Sequence, residues 1–429
     1  MESLPRGFDR FRRIFRFSII ALPYLSYVSV AGLILDTLYL VKTYKRSSLD
    51  PLIRNGLLLI CGLMLISSAL AFERGEAFLQ LTNYFPFFLM FAVLPYFLKG
   101  IEQLERLALD VVLASIPLNL LAFVEYVLRS PWITRPFRRN PFIRWVRSRP
   151  HEGRAMLMFG HPNAMAAYLV VVFGLGLGLI LCYYWGRSQP GQAQPGRSAR
   201  FSHPAWLYAG TFLNLLGIFS AGSRNGLLVA ISQLILFSLL SRASRAIWMA
   251  GLVSVGGILV GVAGLGIGGR AQLLGNWANE SRLLIWGIAL DLIRERPLFG
   301  WGLGNYKFQY PLRIAGLNVE ETYVGHPHSL WLMLGCEAGL LVTIVFTGWV
   351  GLICFRAARR LQPQDKHSLP ERQRAILLGF LVAFWGCIAF SLFDVPLFDA
   401  RLNVMGWLML TGLYVLGRQE KAVAEPALA

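Results

Sequence analysis

The residues with the clearest chemical potential are two arginines that lie where predicted helices begin. Arg224 lies in the segment 222–226, GSRNG, between two apolar stretches, and Arg282 follows Ser281, a candidate N-cap of a helix predicted over 281–295. A helix N-terminus presents free N–H groups and partial positive charge, and arginine adds a bidentate contact to phosphate. Both arginines are therefore candidate phosphate ligands. The alternatives are an arginine that snorkels from the membrane edge for Arg224 and a solvated side chain for Arg282.

Two histidines provide a candidate general base. His326 and His328 flank Pro327 just before an apolar stretch, and neutral imidazole accepts a proton near neutral pH. His328, which begins that stretch, is the preferred catalytic residue, and His326 is a supporting one. The alternative is a histidine at the membrane edge that bonds only to a backbone carbonyl. The pair lacks the i, i+4 spacing of helical metal sites, and no acidic cluster suits a metal, so we predict no metal and no cofactor.

Further polar candidates lie in the segment 129–162 and directly after it. Asn163 opens an apolar stretch after His161-Pro162 and has the position of an N-cap, and Arg154 precedes it as a second supporting residue. The segment holds eight arginines with interleaved aromatics. It is either an interfacial helix on anionic headgroups or a surface for a phosphorylated acceptor lipid. The candidate acceptor contacts are Arg138, Arg139, Arg144 and Arg147.

The composition indicates that membrane-spanning helices position these residues. Hydrophobic residues make up 55% of the 429 positions and charged residues 15%, well below the roughly 25% of soluble domains. The net charge of +18 resides in basic segments between apolar stretches, as the positive-inside rule requires, which argues against nucleic-acid binding. The five cysteines all fall in apolar segments, so we predict no disulfide. The glycine-rich run 299–306 lacks a preceding strand and predicts tight turns instead of a dinucleotide site.

The apolar stretches predict an all-α polytopic membrane protein that forms a single transmembrane helical domain over 1–429. Eleven stretches qualify: 17–41, 56–72, 81–98, 106–128, 163–185, 204–221, 225–240, 246–266, 328–355, 375–393 and 402–417. The basic linkers 186–203, 242–245 and 356–374 are predicted to be cytoplasmic. The basic loop 129–162, the large ordered loop 267–327 and the turn 393–400 then lie outside.

The front end of the chain does not fit eleven spans. Basic residues precede and follow the stretch 17–41, and one span cannot place both groups in the cytoplasm. We therefore favour a further pass near 15–45, broken at Pro23, which gives about twelve transmembrane helices with both termini cytoplasmic.

The motifs, in their order along the chain, resemble the O-antigen ligase and polymerase superfamily of bacterial envelopes. The resemblance is sharpest across 150–345. Its pieces are Arg154 to Tyr168 with FGHPN at 159–163, SRNG at 223–226, Ser281 to Trp286, ERPLFG at 295–300, HPHS at 326–329 and EAGL at 337–340. Ser329 departs from the asparagine of many relatives.

The resemblance implies both a fold and an activity. The fold is glycosyltransferase-C-like, with about twelve spans and a large periplasmic loop. The activity is metal-independent, inverting transfer of a glycan from undecaprenyl diphosphate, at the periplasmic face of the inner membrane. By resemblance, Arg224 and Arg282 bind the donor diphosphate and His328 is catalytic. The implied partners are this lipid-linked donor, a lipid A–core acceptor and membrane lipids.

Four functions compete at this point. We favour an O-antigen ligase, because the arginine-rich loop suits a phosphorylated lipopolysaccharide acceptor. An O-antigen polymerase and a protein O-oligosaccharyltransferase belong to the same superfamily, but the last type usually carries an added C-terminal region. A lipid or solute transporter is the alternative from another class. It should show internal repeats or mid-span charges, and only Asp36, Asp110 and Glu125 lie well inside spans.

Overall fold

The structure is a computed structural model that describes residues 7–44, 50–129, 136, 139–151, 153–187, 204–241, 253, 256–257, 280–317, 319, 321–362 and 369–418. These residues form helices and turns. The helices are α1 Phe8–Ala21, α2 Ser26–Thr43, α3 Pro51–Ala69, α4 Arg74–Gln80, α5 Phe85–Val93, α6 Ile101–Arg129, α7 Pro141–Ser148, α8 Pro162–Arg187, α9 Pro204–Ser220, α10 Arg224–Ser241, α11 Glu280–Glu295, α12 Tyr306–Ile314, α13 Leu330–Met333, α14 Leu340–Arg359, α15 Glu371–Ser391 and α16 Ala400–Gly417.

Seven helical segments of the described chain are long and apolar enough to cross a membrane. They are Pro51–Ala69, Arg74–Tyr96, Ile101–Arg129, Pro162–Trp185, Arg224–Ser241, Leu340–Arg359 and Glu371–Ser391. The prediction of a polytopic helical membrane protein is thereby confirmed, whereas the count of twelve stays a prediction. The predicted span 246–266 falls almost entirely outside the described residues.

The predicted first span is two helices. The stretch 17–41 is not continuous: α1 ends at Ala21, α2 begins at Ser26, and the two helices pack on each other. Pro23 lies in the connection, where its missing N–H and its steric effect on the preceding residue disfavour a continuous helix. The break expected near Pro23 is therefore present.

The centre of the bundle is α8 packed against α15. A Cβ atom added to Gly178 of α8 would lie 2.4 Å from the Cα of Gly379 on α15, so the two backbones touch. Gln233 of α10 donates from Nε2 to the carbonyls of Val170 and Val382, each at 2.9 Å, and thereby links all three helices. Small residues at the contact and a buried amide are typical of helix packing in membranes. This packing fixes the start of α8 close to the turn that follows α15.

The predicted span 328–355 is also interrupted. The helix α13 continues as one π-helical turn over Leu334–Ala338, and α14 starts only after Gly339, which has φ of 89°. The carboxylate of the buried Glu337 accepts the backbone N–H groups of Gly304 (2.8 Å) and Tyr306 (3.1 Å). The glycine-rich run does form tight turns, and they are held by this carboxylate. This contact attaches the region after α11 to the segment that follows the two histidines.

Candidate functional site

A cavity of about 1190 Å³ lies where the ends of several helices meet. Its walls come from the start of α8, the start of α10, the first turn of α11, the segment 326–328 and the turn after α15. Six residues proposed from the sequence line it together: Arg154, Asn163, Arg224, Arg282, His326 and His328. The fold thus brings these residues, which are up to 174 positions apart in the sequence, to one cavity.

The SRNG segment places Arg224 at a helix N-terminus on the cavity wall. Arg224 is the first residue of α10, and the Ser223 side chain caps the helix by accepting the N–H of Gly226 at 3.2 Å. Asn225 donates from Nδ2 to a backbone carbonyl of α15 at 3.2 Å. A Cβ at Gly226 would lie only 2.9 Å from Ile218, so a side chain does not fit there. Ser223, Asn225 and Gly226 thus hold the start of α10 in place, and Arg224 lines the cavity.

Arg282 lines the cavity from a second helix. The helix α11 begins at Glu280, so Ser281 lies inside the first turn and not at the predicted capping position; its side chain lies outside the described part. Trp286 anchors the helix against Phe393 with ring centroids 6.3 Å apart. Among the residues that the structure describes, no hydrogen bond or ion pair is formed by the Arg282 side chain. Its guanidinium is therefore available to an anionic ligand in the cavity.

Arg401 lines the same cavity but its guanidinium is already bonded. It donates to both carboxylate oxygens of Asp399 at 2.9 and 2.6 Å and to the carbonyl of Met158 at 2.8 Å. It also stacks 4.0 Å from the centre of the Phe159 ring. Arg401 therefore fixes the turn before α16 to the segment before α8, which is a structural role that sequence reasoning did not assign.

The two histidines adopt different roles in the segment 326–328. The Nδ1 atom of His326 accepts the backbone N–H of His328 at 3.2 Å, and its ring stacks on Phe398 at 5.4 Å. Burial, with a smaller contribution from the neighbouring His328, lowers the pKa of His326 to about 4. His328 has φ of 48°, a left-handed conformation that costs a non-glycine residue roughly 1 kcal/mol or more. His326 thus holds His328 in a strained conformation at the cavity wall.

Asp394, which sequence analysis did not single out, lies beside His328. Its Oδ1 atom is 3.8 Å from Nδ1 of His328 and accepts the N–H of Val395 at 2.9 Å. Burial raises the pKa of Asp394, but the adjacent His328 and the Val395 N–H outweigh it and lower the pKa to about 2. Asp394 is therefore an anion beside the candidate base. The sequence signal for Asp394 was its position in the turn 393–400. This turn is predicted to lie on the same face of the membrane as His328.

Asn163 and Arg154 connect to this aspartate. The Nδ2 atom of Asn163 donates to Oδ2 of Asp394 at 3.2 Å, and its Oδ1 accepts from Arg154 at 2.8 Å. The prediction that Asn163 is the N-cap is wrong. The helix α8 begins one residue earlier, at Pro162, and the ring of His161 caps it by accepting the Asn163 N–H at 3.0 Å. The amide side chain is thereby left to orient Asp394.

The candidate acceptor arginines that the structure describes do not line the cavity. Arg144 and Arg147 are on α7, Arg139 is an exposed residue just before it, and Arg138 lies outside the described residues. The helix α7 is amphipathic: Ile143 and Val146 are buried, while its aromatic residues Phe142 and Trp145 are 58% and 60% exposed. Exposed aromatics beside arginines fit a membrane interface as well as an acceptor surface.

Two other arginines of the same segment are structural. Arg129 is 1% exposed and donates to the carbonyls of Arg149, Pro150 and His151 at 2.7 to 3.0 Å. Glu125 forms ion pairs with Arg129 at 3.4 Å and with Arg149 at 2.8 Å. This buried network fixes the chain that leads to Arg154, so these two cations are not available to a ligand.

Asp394 also changes the argument about metals. Each of His326, His328 and Asp394 offers one ligand atom, and these atoms lie within 4.8 Å of one another. The sequence argument found no acidic cluster that suits a metal, and it did not foresee a single aspartate beside the two histidines. Both carboxylate oxygens of Asp394 already accept hydrogen bonds, from Asn163 and Val395, and this favours an orienting role for the carboxylate.

The comparison with known families agrees with the motifs. The model of a family described as O-antigen ligase matches residues 209–347, about a third of the chain. No curated protein matches the chain significantly. The matched segment contains the two candidate phosphate ligands and the candidate base. The resemblance to the O-antigen ligase family is thereby confirmed over residues 209–347, which hold Arg224, Arg282 and His328.

Proposed function

We propose that the protein transfers O-antigen polysaccharide from undecaprenyl diphosphate to a sugar hydroxyl of lipid A–core. The observation that carries the proposal is the cavity that combines a histidine–aspartate pair with two arginines at separate helix N-termini. A diphosphate leaving group requires cations, and a hydroxyl acceptor requires a base. The membership of 209–347 in the O-antigen ligase family fits this substrate class.

The reaction is a single displacement with inversion. His328 takes the proton of the acceptor hydroxyl while that oxygen attacks the anomeric carbon from the side opposite the diphosphate. The bond between the anomeric carbon and the diphosphate oxygen breaks, and undecaprenyl diphosphate leaves with the electron pair. Arg224 and Arg282 stabilise the charge on the leaving diphosphate. The Asp394 carboxylate stabilises the imidazolium that His328 becomes.

The charge distribution supports the proposed membrane orientation. Arg356 and Arg359 in the last turn of α14 and Arg372 at the start of α15 lie at the helix ends remote from the turn 393–400. By the positive-inside rule these ends face the cytoplasm. The cavity then faces the periplasm of a bacterial inner membrane, with both termini cytoplasmic and twelve passes in total.

The decisive experiment compares lipopolysaccharide from a deletion strain and its parent on gels. A ligase predicts loss of the ladder, an intact lipid A–core band and accumulated full-length polymer on the lipid carrier. A single repeat unit on the core would instead identify a polymerase. An unchanged lipopolysaccharide ladder with loss of glycan from envelope proteins would identify an O-oligosaccharyltransferase.

Glycan transfer should continue after removal of divalent ions. Arg224 and Arg282 supply the positive charge that a metal would otherwise give the diphosphate, and Asp394 is held by two hydrogen bonds. We expect purified enzyme treated with EDTA to retain its activity in a transfer assay. Activity that EDTA abolishes and a divalent ion restores would instead assign His326, His328 and Asp394 as a metal site.

Replacing His326 by asparagine should lower the rate without moving its pH dependence. The asparagine amide oxygen can accept the His328 N–H as the imidazole does. Because burial lowers the pKa of His326 to about 4, we expect this residue to be neutral above about pH 5. Plots of log kcat/KM between about pH 5 and 8 should run parallel for the two enzymes. An acid limb that shifts or disappears would show that the controlling proton resides on His326.

Replacing Arg138, Arg139, Arg144 and Arg147 together by alanine should raise the apparent KM for the lipid A–core acceptor about tenfold or more. Each exposed contact near a membrane surface contributes roughly 1 kcal/mol and is screened by salt. Single replacements should therefore raise the acceptor KM by about fivefold at most, and the donor KM should not change.

A matched variant separates the acceptor surface from an interfacial helix. Changing Phe142 and Trp145 to alanine removes the exposed aromatics of α7 but keeps its charges. Under the acceptor proposal this variant keeps its acceptor KM. If the quadruple variant changes only the donor KM, or leaves both constants unchanged, the acceptor role is wrong.

A further inference from the structure

A second cavity, of about 250 Å³, lies between the first half of α1 and the start of α6. Four arginines line it, Arg12, Arg13, Arg16 and Arg106, together with Glu102 and Asp110. The proposed catalytic site uses none of these residues. The four cations exceed the two carboxylates, so the cavity attracts anions.

Two of the four arginines are already paired, and two are not engaged by carboxylates. Arg16 forms hydrogen bonds with both carboxylate oxygens of Asp110, and Arg12 lies 3.2 Å from the carboxylate of Asp9. Within the described part of the chain, Arg13 makes only a long bond, 3.4 Å, to the backbone carbonyl of Asp9. The Arg106 side chain forms no hydrogen bond or ion pair with any residue that the structure describes. Arg13 and Arg106 are thus positioned to bind a ligand.

Apart from the amide of Gln103, the rest of the lining is apolar. Phe15, Phe97, Leu98 and Leu107 border the cavity, and all four are buried in the hydrophobic core. The rings of Phe15 and Phe97 are 5.6 Å apart. Guanidinium groups beside an aromatic and aliphatic wall match a molecule that joins a phosphate to hydrocarbon. A free phosphate ion would gain nothing from the apolar wall.

The position of the cavity along α6 places it at the membrane boundary opposite the catalytic cavity. Asp110 lines the second cavity, whereas Arg129, at the other end of α6, bonds to the segment that carries Arg154. Nineteen residues of helix separate Asp110 from Arg129, which corresponds to about 28 Å at 1.5 Å per residue. This is close to the thickness of the hydrocarbon core of a bilayer, about 30 Å. The second cavity therefore lies at headgroup level in the other leaflet.

We propose that this cavity binds the headgroup of an anionic phospholipid, with Arg13 and Arg106 on its phosphate and the apolar wall along the start of its acyl chains. Basic pockets between transmembrane helices on the cytoplasmic side are suited to such headgroups. The bound lipid would join α1 to α6 and so stabilise the front end of the bundle. The proposal does not depend on glycan transfer, because it concerns binding at a separate site.

The test measures lipid binding to the purified, delipidated full-length protein. Native mass spectrometry and thermal unfolding are followed on addition of phosphatidylglycerol, phosphatidylcholine or inorganic phosphate. Wild-type protein should bind phosphatidylglycerol and unfold at a higher temperature, and phosphatidylcholine should have little effect. The variant Arg13→Gln/Arg106→Gln should bind phosphatidylglycerol roughly ten- to 25-fold more weakly, since each cation near a membrane surface contributes about fivefold.

A matched double variant controls for general basic charge. Arg356→Gln/Arg359→Gln removes two arginines from the last turn of α14, outside the second cavity, and should bind phosphatidylglycerol like wild type. Equal weakening in both double variants would overturn the proposal in favour of a diffuse positive surface. Full competition by inorganic phosphate would overturn the lipid assignment. Arg13 and Arg106 are both exposed. If the double variant folds poorly, the single variant Arg106→Gln provides a milder change.

Discussion

Replacing His328 by alanine should lower glycan transfer by about two orders of magnitude or more, which is the usual contribution of a positioned general base. The His328 imidazole lines the cavity together with Arg224 and Arg282, and its Nδ1 atom lies 3.8 Å from the Asp394 carboxylate. His326 cannot replace it, because its Nδ1 is occupied by the His328 N–H and burial lowers its pKa to about 4.

The measurement is transfer by purified protein, with membrane insertion and thermal stability as controls. The His328→Ala variant should insert normally, because the side chain that it removes is about a third exposed. The matched variant His326→Ala should lose less activity. Near-normal transfer by His328→Ala would overturn its assignment as the base.

Arg224, Arg282 and His328, which the sequence analysis singled out, each lie at or near the start of a helix. They stand beside local signals, namely serine and glycine neighbours, a predicted helix start and an X-Pro step. Such signals act over a few residues, so they can be recognised in one sequence. Whether these residues share one cavity depends on the packing of distant helices.

The position of Asp394 beside His328 could not be predicted from local sequence signals. Asp394 lies 66 positions after His328, in the turn after α15, which the packing of α15 along α8 through Gly178 and Gly379 places near Asn163. A single acidic residue in a short turn has no periodicity or spacing that marks it. The sequence did place the turn 393–400 on the same face as His328, but not beside it.

Two of the predicted spans are interrupted, and only one of the two interruptions was predicted. The break at Pro23 was expected because proline acts on its own backbone. The break at Gly339 was not expected, because the backbone of this glycine packs against Leu298, which is distant in the sequence pattern of the span. Likewise, Asn163 has the composition of an N-cap, but the ring of His161 takes that position. In both cases a contact that the sequence pattern does not encode decided the local structure.

Replacing either Arg224 or Arg282 by lysine should lower kcat/KM for the lipid diphosphate donor by about one to two orders of magnitude. Lysine keeps the positive charge but loses the planar fork that contacts two phosphate oxygens at once. A hydrogen bond to a charged group contributes roughly 1.5–3 kcal/mol, which corresponds to this range. Because Arg224 and Arg282 begin two different helices, each should hold the diphosphate from a separate wall, and neither lysine should compensate for the other.

The control for this prediction lies on the same helix as Arg282. Arg294 is 76% exposed, pairs with Asp291 and does not line the cavity, so Arg294→Lys should transfer glycan like wild type. Kinetics measured over a range of donor concentrations at fixed acceptor separate donor recognition from acceptor recognition. If bidentate binding holds, the two lysine variants lose donor kcat/KM while their acceptor KM stays unchanged. A lysine variant that matches wild type at every donor concentration would show that its arginine does not bind the diphosphate in this way, and a loss confined to acceptor KM would place that arginine on the acceptor instead.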